Sequence, residues 1–183
     1  VADFDVTTND AGNPVVCTNA VDPSPWGTPT CDWDTTNHAD GPIDLTIVVY
    51  DQAGNASTPF VVSTIVDNGD PTLVFNSFVE GAGGQYQHAN AASKTMYFNP
   101  LNNGTFILNM DANDAGSGIN RVEFPALGAN WAPLVMTPDS SGPNPYAMSY
   151  SFTTGAATVS GATATAFDNV ANTDTETFNV VAD

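Results

Sequence analysis

The sequence predicts an all-β chain of tandem β-sandwich domains. Three observations carry that expectation: short apolar runs of period two, turn-forming residues between them, and one turn motif written twice. The runs, in order, begin with "IDLTIVVYD" and "PFVVSTIVD", two β-branched segments separated by a turn rich in Asn, Gly and Ser. Next come "TLVFNSFV", "KTMYFNP" and "TFILNMDA", where aromatic and aliphatic residues alternate with Asn, Ser and Thr. "RVEFPA" is closed by a proline, and "YAMSYSF", "ATATAFD" and "TFNVVAD" complete the series. Alternation puts successive side chains on opposite faces of a sheet, so each run reads as a strand with one buried face. Fifteen glycines and thirteen prolines leave no window that reads as a long amphipathic helix. Strands at this spacing suit sandwiches.

The repeated turn sets the domain organisation. Asp51 and Asn55 in "YDQAGN" recur as Asp168 and Asn172 in "FDNVAN", 117 positions later. Asp67 then matches Asp183, and "CDWDTTNHADGPIDLTIVVYDQAGN" lies against "SYSFTTGAATVSGATATAFDNVAN". Upstream, Phe4 lies against Phe124. The expected units are residues 1-67, the C-terminal portion of one sandwich repeat, and residues 68-183, a complete repeat. On this alignment the first unit lacks counterparts of "TLVFNSFV", "KTMYFNP" and "TFILNMDA". Its missing strands are expected from upstream repeats of the same polypeptide or from a neighbouring copy, because an open sheet edge invites strand addition.

Composition excludes whole classes of partner. Twenty acidic residues, seventeen of them Asp, face only Lys94 and Arg121, for a net charge of -18. Such a surface repels nucleic acid and anionic membranes and attracts cations. Eighteen aromatics spread along the β-like runs argue against disorder. No apolar run approaches the roughly 20 residues that span a bilayer. The chain opens without a signal segment, as a mature or excised fragment would. Cys17 and Cys31 are the two cysteines. An extracellular setting would oxidise them to a disulfide, the other reading being two separate buried thiols. By the repeat they align with Met136 and Ser149, which predicts flanking strands of one hairpin.

"DAGSGINRVEFPALG", the "YDQAGN" and "FDNVAN" turns, and the linker "VDNGDPTLVF" together resemble the bacterial Ig-like repeats of long secreted and cell-surface proteins. The resemblance implies tandem Ig-like β-sandwich domains, the first lacking its N-terminal strands, that serve as stalks, spacers, filament subunits or adhesive modules. One departure is Ala171, which stands where the family pattern has Gly. In an Ig-like arrangement the loops after the second and sixth strands share one end with the incoming linker. That would gather Asp67, Asp70, Asp111, Asp114 and Asp168 as oxygen ligands for calcium. The plainer reading is that the Asp-x-x-x-Asn motif only shapes a turn, through local side-chain hydrogen bonds.

Other chemistry is sparse. His38 and His88 sit in polar stretches without zinc or triad spacing and read as solvated loop residues. Trp26, Trp33 and Trp131 are either core residues or a sugar-stacking platform. The platform would make the chain a carbohydrate-binding module of a secreted hydrolase, with glycans as partners, and this is the alternative to a structural or adhesive role. No nucleophile, base or metal constellation points to an enzyme.

Overall fold

The computed structural model describes residues 3–12, 14–21 and 30–183, divided between two compact units, Val1–Gly69 and Asp70–Asp183. The fold is all-β.

The first unit contains β1 (Asp3–Thr8), β2 (Val15–Val21), β3 (Gly41–Tyr50) and β4 (Phe60–Val66), in one antiparallel sheet of order β2-β1-β3-β4. A 3-10 turn at Thr35–Asn37 precedes β3, capped by Asp34, whose carboxylate accepts from the Thr36 N–H at 3.0 Å. Phe4 pairs with Val49 and Val6 with Ile47, while Leu45 pairs with Val62 and Ile47 with Phe60. Directly opposed residues share a face, so one face of the sheet gathers Phe4, Val6, Leu45, Ile47, Val49, Phe60 and Val62. That face is buried at Phe4 and Val6 of β1, Ile43 of β3 and Val66 at the end of β4, and open only along the first half of β4, where Phe60 is 64% and Val62 39% exposed. Among the described residues of this unit no second sheet covers it.

Cys17 on β2 is joined to Cys31 by a disulfide, with Cα atoms 6.2 Å apart. The expected hairpin is not the means. Cys31 lies outside any strand, in the segment leading to the 3-10 turn.

The second unit is a two-layered sandwich. Its strands are β5 (Thr72–Glu80), β6 (Gln87–Asn90), β7 (Thr95–Phe98), β8 (Gly104–Asn113), β9 (Ile119–Phe124), β10 (Trp131–Ala132), β11 (Thr137–Asp139), β12 (Tyr146–Phe152), β13 (Val159–Asp168) and β14 (Thr173–Ala182). One sheet runs β10-β12-β8-β5 and the other β11-β9-β13-β14-β7-β6. Alternation along β8 buries Phe106, Leu108 and Met110, and along β12 it buries Met148, Tyr150 and Phe152. The opposite layer supplies Val122, Phe124, Ala164, Ala166, Phe178 and Val180 to the same core. Each large apolar side chain buried this way contributes about 1.5–3 kcal/mol. Trp131 closes one end, its ring 4.9 Å from Phe98 and its indole N–H donating to the Ala157 carbonyl at 3.0 Å. Tyr150 is fully buried and donates to the Pro125 carbonyl at 2.8 Å; burial pushes its phenol well above the usual range. Gly104 is required where it stands, because a Cβ there would run into the Phe152 ring.

The edge strand β5 is tied to the other layer by carboxylates. Asp174 of β14 accepts from the Leu73 N–H at 2.8 Å and Glu176 from the Phe75 N–H at 3.5 Å. Glu176 also holds Lys94 at 2.6 Å. β14 itself pairs antiparallel with β13 and parallel with β7.

The two units share a four-strand pattern. The order β2-β1-β3-β4 of the first is repeated by β11-β9-β13-β14 of the second. The register corrects one sequence match. Phe4 pairs with Val49, and the residue paired with Ala166, the equivalent of Val49, is Val122 rather than Phe124. A slip of two residues leaves every side chain on the same face, so alternation alone cannot detect it.

Candidate functional site

The repeated turn is built by the same hydrogen bonds in both copies. In the first, the Asp51 carboxylate accepts from the N–H groups of Ala53 and Asn55 and from the Asn55 amide, all at 2.8 Å. In the second, the Asp168 carboxylate accepts from the N–H of Val170 at 2.9 Å and of Asn172 at 2.8 Å, and from the Asn172 amide at 2.8 Å. Each Asp N–H also donates to the carbonyl of its Asn. The residue before each Asn is left-handed, with φ of 84° at Gly54 and 75° at Ala171. Glycine suits that position because it lacks a Cβ, and the Asn that follows serves the turn through its bonds to the Asp carboxylate.

The copies differ in surroundings. Asp51 is exposed, and the Asn55 amide and N–H hold its carboxyl below the usual range. Asp168 is 2% exposed. The loop after β8 is fastened beside it by Asn169, whose N–H donates to the Gly118 carbonyl at 3.0 Å and whose amide donates to the Ser117 carbonyl at 2.8 Å. Asp114 folds that loop by accepting from the Gly118 N–H at 2.6 Å. Carboxylate oxygens of Asp114 and Asp168 consequently lie within 4.8 Å of one another.

The remaining residues of the expected acidic set are placed as follows. Asp111 is half-buried on β8, where it accepts from the Asn76 amide at 2.8 Å, and Asp70 is exposed at the start of the second unit. Neither joins the Asp114–Asp168 pair. Asp67 follows β4 at the end of the first unit and accepts from the Gly69 N–H at 3.3 Å. Asp168 Oδ1 accepts two bonds and Oδ2 one, so Oδ2 keeps a lone pair for a further donor or a cation.

His38 departs from the sequence reading. It is 6% exposed and held between two side chains. Its Nε2 accepts from the Trp33 indole N–H at 2.9 Å, which places the ring proton on Nδ1, and Nδ1 donates to Asp10 at 3.0 Å. No spacing rule marks such a Trp–His–Asp chain in sequence, because its members come together only when the 3-10 turn forms. With Nε2 occupied by the indole, this imidazole is not placed to act as a base. Trp131 is a core residue, Trp33 is half-buried, and Trp26 lies outside the described residues. His88 is exposed. Among the described residues, no helix is long and apolar enough to cross a membrane.

No protein-family model matches this chain, and no curated protein matches it in sequence. Among solved structures it is similar to fibronectin(III)-like modules of CbhA from Clostridium thermocellum. The identity is 14% and the TM-score 0.46, over 97% of this chain and 77% of that one.

Proposed function

We propose that the chain is a structural, adhesive repeat module of an extracellular protein, and that the open sheet of its first unit is closed by strands from a neighbouring copy. One observation carries the reading. The same four-strand pattern occurs twice, and its apolar face is packed beneath a second sheet in one unit and bare at Phe60 and Val62 in the other. The disulfide supports an oxidising, extracellular setting. Calcium is the cofactor proposed with it, held in the second unit by the carboxylates of Asp114 and Asp168. The role is non-catalytic.

Sedimentation velocity over a range of protein concentrations tests the closure. Wild type is expected to associate as concentration rises. A Phe60→Ser, Val62→Ser variant is expected to stay monomeric with its second unit folded. A wild-type chain that remains monomeric throughout, or a variant that associates equally well, would refute closure by a neighbour. The carbohydrate-binding reading loses Trp131, which is 2% exposed. A different aromatic surface favours it.

A further inference from the structure

At the β6 edge of the six-stranded sheet lies a recess of about 250 Å³ lined by Gln85, Tyr86, His88, Tyr97, Asn99 and Asp183, together with the backbone around them. The ladder explains their convergence. His88 pairs with Tyr97 across β6 and β7, and opposed residues project to the same side. Their neighbours Gln87, Met96 and Phe98 are buried, so His88 and Tyr97 face outward. Tyr86 ends the 3-10 turn Gly84–Tyr86, which is fixed by the Asn99 N–H donating to the Tyr86 carbonyl at 2.8 Å. Asp183 is held alongside by its N–H on the Phe98 carbonyl at 2.9 Å.

The side chains there are uncommitted. Those of Gln85, Tyr86, His88 and Tyr97 have no hydrogen-bond partner among the described residues. Asn99 uses its oxygen on the Leu101 N–H, leaving its amide. Both basic side chains of the protein are engaged elsewhere, Lys94 with Glu176 and Arg121 with Glu123. The recess therefore offers two tyrosine rings, an imidazole, amides and one carboxylate, with no lysine or arginine, on a protein of net charge -18.

That combination selects a ligand. A phosphate-bearing or acidic molecule is repelled. A purely apolar one would leave the polar rim dehydrated and unpaired. A ring with an apolar C–H face and hydroxyls around its edge satisfies both parts. The volume lies just under the ~300–1,000 Å³ of drug-sized sites, which suits a single ring. We infer that this recess binds one ring of a neutral saccharide, with Tyr86 and Tyr97 against its apolar face and Gln85, His88, Asn99 and Asp183 serving its hydroxyls. The inference is independent of how the first unit is closed.

Amide NMR titration of the whole protein with D-glucose, D-galactose, D-mannose, N-acetyl-D-glucosamine and their disaccharides tests it. At least one is expected to give saturable shifts around Gln85, His88, Tyr97 and Asn99, with a millimolar Kd fitting single-ring contact. Tyr97→Ala and Tyr86→Ala are each expected to weaken binding about tenfold, the scale of losing one aromatic anchor. Tyr97→Phe, which keeps both the ring and the packing of β7, is expected to retain most of it. Tyr86 stands outside the ladder, so its variant reads binding even if Tyr97→Ala unfolds β7. Absence of saturable shifts at the recess with every sugar would overturn the inference. So would shifts that persist unchanged in Tyr86→Ala.

Discussion

Exchanging the left-handed residues of the two turns should change stability in opposite directions. Gly54 and Ala171 sit at equivalent positions, with φ of 84° and 75° and matching hydrogen bonds around them. A Cβ at Gly54 would meet nothing within 4 Å, so Gly54→Ala adds no clash and its cost is backbone strain alone. A left-handed L-residue is strained by roughly 1–2 kcal/mol. The extra freedom that glycine has in the unfolded chain offsets roughly 0.5–1 kcal/mol of this. Taking the middle of each range, Gly54→Ala is therefore expected to destabilise the first unit by about 0.7 kcal/mol, and Ala171→Gly to stabilise the second by the same amount. Urea titration followed by hydrogen exchange, read separately on peptides of each unit, measures both without assuming a single two-state transition. Ala171→Asn, which also tolerates this conformation, should fall between alanine and glycine. A neutral Gly54→Ala or a destabilising Ala171→Gly would refute the assignment of strain to the turn.

Without a cation, Asp114 and Asp168 repel one another across at most 4.8 Å, on the order of 1–3 kcal/mol between water-like and surface-like screening. Calcium should raise the melting temperature, by about 2.7 kcal/mol of stability at a hundredfold excess over its Kd; Asp114→Asn should raise it in chelator and abolish the calcium response, and an unchanged temperature with calcium rejects the site. The native, unreduced protein should show no thiol labelling, and Cys17→Ser with Cys31→Ser should cost the first unit about 3 kcal/mol, given the 14-residue separation. Acid should weaken the second unit. Burial alone would raise the Glu176 carboxyl, but Lys94 and the Thr177 and Phe75 N–H groups hold it below the usual range. A lowered folded pKa means that the unfolded chain takes up the proton first, so this stability is complete above about pH 4.5 and is lost as pH falls through the folded value; melting curves of Glu176→Gln should show a shallower acid slope.

The long strands were legible because alternation is a local signal. "YAMSYSF" is β12 residue for residue, and "TLVFNSFV" needs only Glu80 to become β5. β1 and β2, of six and seven residues, are not among the runs read as strands, and the short strands were not legible. β10 and β11 have two and three residues, and β11 contains Pro138, so no period can be counted in them. The turn geometry was readable from Asp, Gly and Asn, since the Asp and Asn side chains bond within five residues and Gly supplies the left-handed step. Of the acidic set, Asp111 looked equivalent to Asp114 in sequence. The ladder separates them, because Asp111 is still on β8 and pairs with Asn76, while Asp114 is past its end and closes on Gly118. His38 and the tyrosine recess depend on contacts between segments that no local pattern encodes.

The carboxylate ties between β5 and β14 also bear on what tension would do to the second unit. Leu73 is tied to Asp174 and Phe75 to Glu176, so the two strands run in the same direction with their starts side by side. Their outer ends, Thr72 and Ala182, therefore lie at opposite ends of the sandwich. A pull on the chain through these ends draws the strands past each other along their lengths, loading the ties and the β14 ladders together rather than peeling them one at a time. A module strung in this way yields only when many weak bonds fail in concert, which is the geometry suited to a stalk.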